Sequence, residues 1–323
     1  MLTAGEFYKS LFGSKTYKIT LDAGCTCPNR DGKLGTGGCL FCGSRGSGEF
    51  TADKNLGISE QVQAAKKLVD QKFSRKYEKK YIAYFQNFTN TYGNLNELSK
   101  KWEEALSCDG VVGLALGTRP DCISDECLCV LCRILEKGYF VQLELGFQTV
   151  CEETAEFFHR GYKNEVYFDA VNRIHKANTK IHVVTHVMFG LPRPSSDDSG
   201  ALEIESEEQM MESVRAVVKA GSDGIKIMNL YILKGTGVEK LYREGKFRSL
   251  EYEEYLGLVR SALKLLPPGM IVHRLSGDPP RADVIAPPWS TDKKRLVNDL
   301  KKLDAVTGVT PRKDKSEVVS FVK

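Results

Sequence analysis

Two patterns of apolar residues, one typical of strands and one typical of helices, alternate along the chain from residue 17 onward. Short runs of alternating or continuous apolar residues predict strands, at 17–21, 81–85, 110–116, 140–145, 181–189, 224–231 and 270–274. Apolar residues that recur every three or four positions predict helices, at 58–73, 94–106, 124–137, 151–159, 164–177, 203–220 and 251–266. Because strands and helices alternate repeatedly, the pattern predicts right-handed crossovers and a parallel α/β sheet.

This pattern fits either a doubly wound sheet or a full or partial barrel. In both architectures the chemistry lies at the carboxyl ends of the strands, so unusual polar residues at those ends are candidate site residues. We divide the chain into a lead-in (1–15), a main α/β domain (16–275) and a short, basic C-terminal extension (276–323).

Composition places the chain among ordinary globular proteins. With 41% hydrophobic and 27% charged residues, it is neither disordered nor collagen-like. No apolar stretch approaches the ~20 residues of a membrane span, and the N-terminus lacks the apolar core of a signal peptide. We therefore expect a cytoplasmic protein without a membrane partner. Its net charge of +4 permits a nucleic-acid partner but does not require one.

Ten cysteines are many for a reducing compartment, where thiols usually serve metals or catalysis. Cys27, Cys39 and Cys42 follow the first predicted strand in a glycine-rich loop. A structural zinc site would need a fourth ligand, for which Cys25 is the nearest cysteine; a disulfide and inert buried thiols are further alternatives. Three cysteines on a four-iron cluster would leave one iron open to S-adenosylmethionine (SAM), whose reductive cleavage gives a 5′-deoxyadenosyl radical.

Several segments resemble the radical SAM superfamily, and within it the YhcC/YtqA type, which is itself similar to the catalytic subunit of Elongator. They are Cys27-Pro-Asn-Arg-Asp-Gly, Gly117-Thr-Arg-Pro-Asp-Cys122, Leu143-Glu-Leu-Gly-Phe-Gln-Thr149, Arg160-Gly161, Phe189-Gly-Leu-Pro192, Gly224-Ile-Lys226 and Lys234-Gly-Thr236. The resemblance implies a partial (βα)6 TIM-like barrel over 16–275, with a cluster loop at 22–50. It also implies a [4Fe-4S] cluster on Cys27, Cys39 and Cys42, with SAM as the second cofactor.

The fourth predicted strand has a polar face. Glu144, Gly146 and Gln148 share that face, which indicates a ligand wall or, alternatively, a strand edge in water. The resemblance implies that Gln148 and Arg160 contact the SAM carboxylate and neighbouring groups, and that Glu144 holds the ribose. It implies further cofactor contacts at Phe41, Gln86, Asn87 and His186.

Substrate contacts are predicted on the last strands. Lys226 and Lys234 suit an anionic substrate, although either lysine could equally be a paired barrel residue. His273 and Arg274 are placed near the mouth of the barrel. The cysteines in or just before the third predicted helix (124–137) either pack in the core or bind a second cluster, and their spacing favours packing; they are Cys122, Cys127, Cys129 and Cys132.

The resemblance implies an enzyme that modifies the wobble uridine of tRNA, converting 5-carboxymethylaminomethyluridine to 5-aminomethyluridine. Basic residues concentrated at 66–80 and after residue 293 are compatible with an RNA partner. We expect flavodoxin or ferredoxin as electron donor and no DNA partner. The alternatives are a radical SAM enzyme with a small-molecule or peptide substrate, and a non-catalytic zinc or iron–sulfur protein.

Overall fold

The computed structural model describes residues 2–44, 46, 51, 53–72, 78–195 and 201–307. The strands are β1 (Leu2–Thr3), β2 (Thr16–Leu21), β3 (Lys80–Phe85), β4 (Val111–Thr118), β5 (Phe140–Gln148), β6 (Ile181–Phe189), β7 (Pro192–Pro194), β8 (Leu202–Ile204), β9 (Gly224–Asn229), β10 (Ile232–Leu233), β11 (Ile271–Arg274) and β12 (Val284–Ala286). The helices are α1 (Ala4–Phe12), α2 (Ile58–Asp70), α3 (Leu95–Ser107), α4 (Asp125–Glu136), α5 (Glu152–Phe157), α6 (Asn164–Ala177), α7 (Glu207–Lys219), α8 (Gly237–Arg243), α9 (Tyr252–Leu265) and α10 (Lys293–Thr307).

Eight strands form one parallel sheet in the order β1-β11-β9-β6-β5-β4-β3-β2. From β2 to β11 this order follows the chain without reversal, whereas a doubly wound sheet reverses at a switch point. The sheet is open and curled, and β2, β3, β4, β5, β6 and β9 provide the six strands of the expected barrel. The predicted partial TIM-like barrel is confirmed.

Helices cover the convex face of the sheet and bury large apolar side chains against it. Trp102 of α3, Tyr167 of α6 and Tyr255 of α9 are fully buried there. Two small antiparallel pairs, β7 with β8 and β10 with β12, were not predicted from the sequence. The second pair brings residues beyond 275 back against the strand that follows β9. Among the described residues, no helix is both long and apolar enough to cross a membrane.

The cysteines of α4 agree with the packing interpretation. Cys127 is buried in the main core and Cys132 packs against it, whereas Cys129 is exposed. Burial raises the pKa of the Cys127 thiol to about 12, which makes this thiol a small apolar core group rather than a reactive one.

The first residues do more than lead into the barrel. Thr3 caps α1 in a capping box with Glu6, and the helix then inserts Phe7 and Tyr8 into the amino end of the barrel. The Phe7 ring stacks on His182 with ring centroids 4.8 Å apart. The Tyr8 hydroxyl donates to Gln142 Oε1 at 2.7 Å. Helix α1 therefore closes the end of the barrel opposite the expected chemistry.

We expect Phe7→Ala to lower the free energy of unfolding by about 3–5 kcal/mol, because it empties a buried aromatic site. Urea unfolding followed by circular dichroism measures this loss. Lys9→Ala, on the exposed side of the same helix, is the matched control and should change stability by less than about 0.5 kcal/mol. Equal effects from the two substitutions would show that α1 does not hold the barrel closed.

The histidines beside α1 predict a stability that depends on pH. Burial lowers the pKa of His182 from 6.5 to about 4, and burial also lowers the pKa of its neighbour His273. Between pH 6.5 and about pH 4, the unfolded chain binds a proton at His182 that the folded chain does not bind. The free energy of unfolding therefore falls as the pH falls from 6.5 towards 4. One such histidine contributes up to about 1.4 kcal/mol per pH unit.

Urea unfolding near pH 5 and near pH 7.5 tests this effect. We expect the wild-type protein to be less stable at the lower pH, and His182→Leu to reduce the difference between the two pH values. A variant that loses as much stability as the wild type on acidification would assign the pH dependence to other groups.

Candidate functional site

The predicted cluster loop leaves the carboxyl end of β2 and crosses the carboxyl edge of the sheet. Backbone hydrogen bonds shape it: Arg30 N donates to Cys27 O at 2.8 Å, Gly38 N to Asn29 O at 2.7 Å, and Cys42 N to Cys39 O at 2.9 Å. The three cysteines therefore lie on tight turns of one folded loop.

Asn29 fastens this loop to the turn that follows α5. Its Nδ2 donates to Cys39 Sγ at 3.3 Å and to the His159 carbonyl at 2.6 Å. Gly161 has φ +79°, and a Cβ there would lie 2.9 Å from Asn29 Oδ1. The glycine of the Arg160-Gly161 motif thus permits a close approach of the cluster loop that a side chain would block.

Arg30 and Phe41 brace the far half of the loop. Arg30 Nη2 donates to the carbonyls of Cys42 at 3.1 Å and Gly43 at 2.8 Å. The half-buried Phe41 ring packs against Phe158 with ring centroids 5.7 Å apart. Phe41, a predicted cofactor contact, thus also anchors the loop to the region after α5.

The thiols of Cys39 and Cys42 interact directly. A hydrogen bond from Cys42 lowers the pKa of Cys39 to about 7, against burial, with smaller contributions from Asn29 and the guanidinium groups of Arg119 and Arg30. The Cys42 pKa is raised by that same hydrogen bond and by burial, and the charge of Cys27 adds to the rise. Since the thiolate is the form that ligates iron, this donor set fits a cluster held by three cysteines.

A single-ion centre is not preformed in this loop. Across the described ranges, no three His, Cys, Asp or Glu side chains converge closely enough to hold one metal ion. Each cysteine of an iron–sulfur cluster binds a separate iron. The assignment of Cys27, Cys39 and Cys42 as cluster ligands stays a prediction.

The loop after β3 lies beside the cluster loop and contains an unpaired acceptor. Asn87 is buried, and its Nδ2 donates to Asp22 Oδ2 at 2.5 Å and Thr51 Oγ1 at 3.0 Å. Its Oδ1 has no hydrogen-bond partner in the described structure. A buried oxygen acceptor at this edge suits the ammonium group of SAM, as predicted for Gln86 and Asn87. Gln86 directly follows β3, and its N donates to Leu21 O at 3.4 Å.

The structure gives Arg160 different partners from those predicted. Its Nη1 donates to the Phe147 and Thr149 carbonyls, Nε to the Tyr162 carbonyl, and Nη2 to Glu152 and Asn164, at 2.9–3.3 Å. These bonds use all five N–H groups of the guanidinium. Arg160 therefore ties the end of β5 to the following loops, and this geometry does not support a contact with the SAM carboxylate.

Arg119 is a cation near the cysteines that the sequence analysis did not single out. Its Nε and Nη2 form a bidentate pair with Asp121 at 2.9 and 2.8 Å, and its guanidinium lies 5.0 Å from the Tyr162 ring centroid. Its charge helps to lower the pKa of Cys39. Nη1 takes no part in the Asp121 pair, which makes Arg119 a candidate carboxylate contact. It stands in the quoted segment 117–122, which is the signal that could have identified it.

Gln148 ends β5 in a left-handed conformation, with φ +64°. Its Nε2 lies 2.5 Å from where a Cβ on Gly146 would be, so the amide folds back over that glycine. Tyr162 Oη donates to the Gly146 carbonyl. Gln148 is half-buried at the carboxyl edge, where a cofactor contact was predicted.

Glu144 lies deeper, inside the barrel, in a polar group that we name the barrel-interior cluster. Glu144 Oε1 accepts from Lys18 and Gln142, and Oε2 accepts from Lys226, from Tyr84 Oη at 2.5 Å and from His186 Nε2 at 3.0 Å. These partners occupy the carboxylate that was predicted to hold the ribose, and they include His186. The barrel-interior cluster consists of Lys18, Tyr84, Glu144, His186 and Lys226.

Opposing effects set the charges in this cluster. Burial alone would raise the pKa of Glu144, but Lys18 and Lys226 hold it well below its usual range. Burial lowers the pKa of Lys226 to about 7 despite Glu144. For Lys18, burial is outweighed by Glu144 and Tyr8, and the pKa rises. Burial and the charge of Lys226 lower the pKa of His186 to about 4.

The remaining predicted substrate residues are dispersed. His273 lies at the amino end of the barrel, where its Nε2 is 3.0 Å from His182 Nε2; its prediction as a mouth residue is corrected because α1 covers it there. Arg274 is in register with Lys226 and lies 3.9 Å from Asp278. Lys234 is exposed and donates to the Ala282 carbonyl at 2.8 Å, which holds the chain after β11.

Family comparisons identify the relatives of this chain. A model of the radical SAM superfamily matches residues 33–204, or 172 of 323 residues, and a Radical SAM C-terminal domain matches residues 222–303. The chain belongs to the radical SAM superfamily. Membership implies an enzyme that uses a [4Fe-4S] cluster and SAM, which together supply a radical that abstracts hydrogen.

Individual relatives show which members of the radical SAM superfamily this chain is similar to. Bacillus subtilis YtqA is 39% identical over 291 residues, which are 90% of this chain and 85% of YtqA. This match confirms the resemblance to proteins of that type. Mouse Elongator complex protein 3 is 29% identical over 192 residues, 59% of this chain and 32% of that protein. A solved structure of an archaeal Methanocaldococcus infernus Elp3, lacking its N-terminus, shares the fold with TM-score 0.62 at 16% identity, covering 92% of this chain and 64% of that one.

We expect Cys39→Ala to abolish both the visible absorbance of the reconstituted cluster and the release of 5′-deoxyadenosine from SAM, because one of three thiolate ligands is lost. Cys129→Ala, which changes an exposed thiol on α4, is the control and should keep both. Spectra and chromatography after anaerobic reconstitution measure the two properties. A Cys39→Ala protein that still releases 5′-deoxyadenosine would overturn the ligand assignment.

Proposed function

We propose that the protein modifies the C5 side chain of the tRNA wobble uridine, converting 5-carboxymethylaminomethyluridine to 5-aminomethyluridine. In this proposal Cys27, Cys39 and Cys42 hold the cluster, and flavodoxin or ferredoxin supplies the electron. The substrate side chain ends in an N-carboxymethyl group, and the reaction removes its methylene and its carboxylate together by breaking the bond to nitrogen. The resemblance to the catalytic subunit of Elongator implies a tRNA wobble uridine as the substrate, and the similarity to Elongator complex protein 3 supports that resemblance.

The observation that carries the proposal is the cationic interior of the barrel. Two ammonium groups, those of Lys18 and Lys226, converge on one carboxylate within the sheet whose carboxyl edge carries the cysteine loop. A substrate with a terminal carboxylate complements this surplus of positive charge. A neutral or cationic substrate would not.

The two basic segments give less support than their composition suggests. Lys66 is buried and donates to the Asp109 carbonyl, and Lys79 pairs with Asp70 at 2.8 Å. Arg295 of α10 lies over the Tyr252 ring at 3.7 Å and near Asp299. Arg75, Lys76, Arg312, Lys313 and Lys315 fall outside the described residues. Support for the tRNA therefore rests on the resemblance to the Elongator type, whereas the barrel interior supports only the carboxylate.

The test is a mass-spectrometric nucleoside profile of bulk tRNA from a strain that lacks this gene. We expect 5-carboxymethylaminomethyluridine to accumulate and the 5-aminomethyluridine derivatives to disappear. Expression of the wild-type chain or of Cys129→Ala should restore the profile, and expression of Cys39→Ala should not.

Two outcomes contradict the proposal. An unchanged profile in the deletion strain would show that this modification does not depend on the protein. Restoration by Cys39→Ala would show that the modification does not need its cluster. Purified protein with SAM, a reductant and tRNA from the deletion strain should also form 5-aminomethyluridine directly.

A further inference from the structure

The barrel-interior cluster contains more positive charge than its own carboxylate requires. Glu144 is fully buried, and both of its oxygens accept hydrogen bonds from lysines on opposite parts of the sheet, Lys18 on β2 and Lys226 on β9. Arg274, in register with Lys226 on β11, is close enough for its charge to affect the pKa of that lysine. One lysine would be sufficient to neutralise Glu144.

Glu144 does not need the second lysine for charge neutrality. Burying an ammonium group costs several kcal/mol unless an anion compensates it, and here Glu144 is already paired with Lys18. An apolar side chain of similar length would fill the same volume at lower cost. The surplus charge therefore calls for an anion that comes from outside the chain.

Among these side chains, those of the two lysines and of His186 have exposed surface, whereas the carboxylate has none. The side chains of Lys18, Lys226 and His186 are 18%, 9% and 19% exposed, whereas that of Glu144 is 0% exposed. A group that enters the barrel thus meets these basic side chains before it meets the carboxylate. In the described structure, Lys226 Nζ bonds to Glu144 and, at 3.4 Å, to Tyr84 Oη, which leaves a third N–H for a ligand.

We propose that the barrel-interior cluster binds the carboxylate of the substrate, and that Lys226 is the residue that selects an acid over its neutral analogue. Tyr84 and His186 position Lys226 by sharing Glu144 with it. This inference rests on the proposed function only for the identity of the nucleoside that carries the carboxylate. The carboxylate of SAM has the same chemistry, so the experiment distinguishes binding of the substrate carboxylate from binding of the SAM carboxylate.

The experiment measures binding by calorimetry to the cluster-loaded protein, without turnover. The probes are 5-carboxymethylaminomethyluridine and its carboxamide, N-benzylglycine and its carboxamide, and SAM. We expect the wild-type protein to bind each acid about tenfold or more tightly than its amide, since the acid accepts a charge-assisted hydrogen bond.

Lys226→Met should abolish this preference, and Lys226→Arg should keep part of it, while the affinity for SAM stays the same in both. Lys137→Met, on the surface next to Glu103, is the matched control and should behave as the wild type. Because Glu144 keeps Lys18, we expect Lys226→Met to fold, and thermal unfolding checks this.

The outcomes separate the two proposals. An acid preference that survives in Lys226→Met, or that is absent in the wild type for both pairs, would overturn the inference. A parallel loss of SAM affinity in Lys226→Met would also overturn it, by assigning the lysine to the cofactor. An acid preference that depends on Lys226, together with an unchanged tRNA profile in the deletion strain, would keep the subsite and refute only the tRNA assignment.

Discussion

The buried carboxylate of Glu144 is the constraint around which the open sheet curls. Lys18 on β2 lies three strands away from Glu144 on β5. In a flat sheet that separation would be about 14 Å, too far for the two side chains to meet directly. The ion pair forms because the sheet curls, and the curl also brings Lys226 from the other side. The curl of the sheet is therefore what allows the buried carboxylate of Glu144 to be neutralised by Lys18.

Several residues of the recognised motifs hold the cluster loop in place, beside Cys27, which is itself a predicted ligand. Asn29 joins Cys39 to the turn after α5, and Arg30 donates to the carbonyls of Cys42 and Gly43. Gly161 permits the close approach of that turn to the cluster loop. All five N–H groups of the Arg160 guanidinium donate to neighbouring acceptors. Positioning three thiols on a loop thus requires several residues besides the cysteines.

The sequence predicted the regular elements well, because hydrophobic periodicity is a local property. The span of β6, 181–189, was predicted to the residue, since six of its nine residues are apolar and Gly190 follows the last of them. Strand parity also placed Glu144 on the inner face. Its partner Lys18 is 126 residues away in the chain, and no local pattern connects the two. Helix α1 was missed for the same reason, as its role lies in the tertiary contact of Phe7 with His182.

Two predicted site residues have surroundings that the spacing of residues does not reveal. Arg160 has the spacing of a cofactor contact, but backbone carbonyls at the end of β5 compete for its N–H groups, and their positions depend on the loop conformation. His273 has the residue type of a mouth residue, but β11 starts opposite Gly224, at the first residue of β9. That register places His273 at the amino end of the barrel.

The charge of the interior also bears on the release of product. In the proposed reaction an acid enters and an amine, cationic at neutral pH, leaves. With a pKa of about 7, Lys226 is partly protonated near neutrality, and a bound carboxylate favours its charged form. Loss of that carboxylate removes the attraction and leaves a cationic product facing Lys18 and Lys226. Repulsion between like charges then favours dissociation, so the same two lysines distinguish substrate from product.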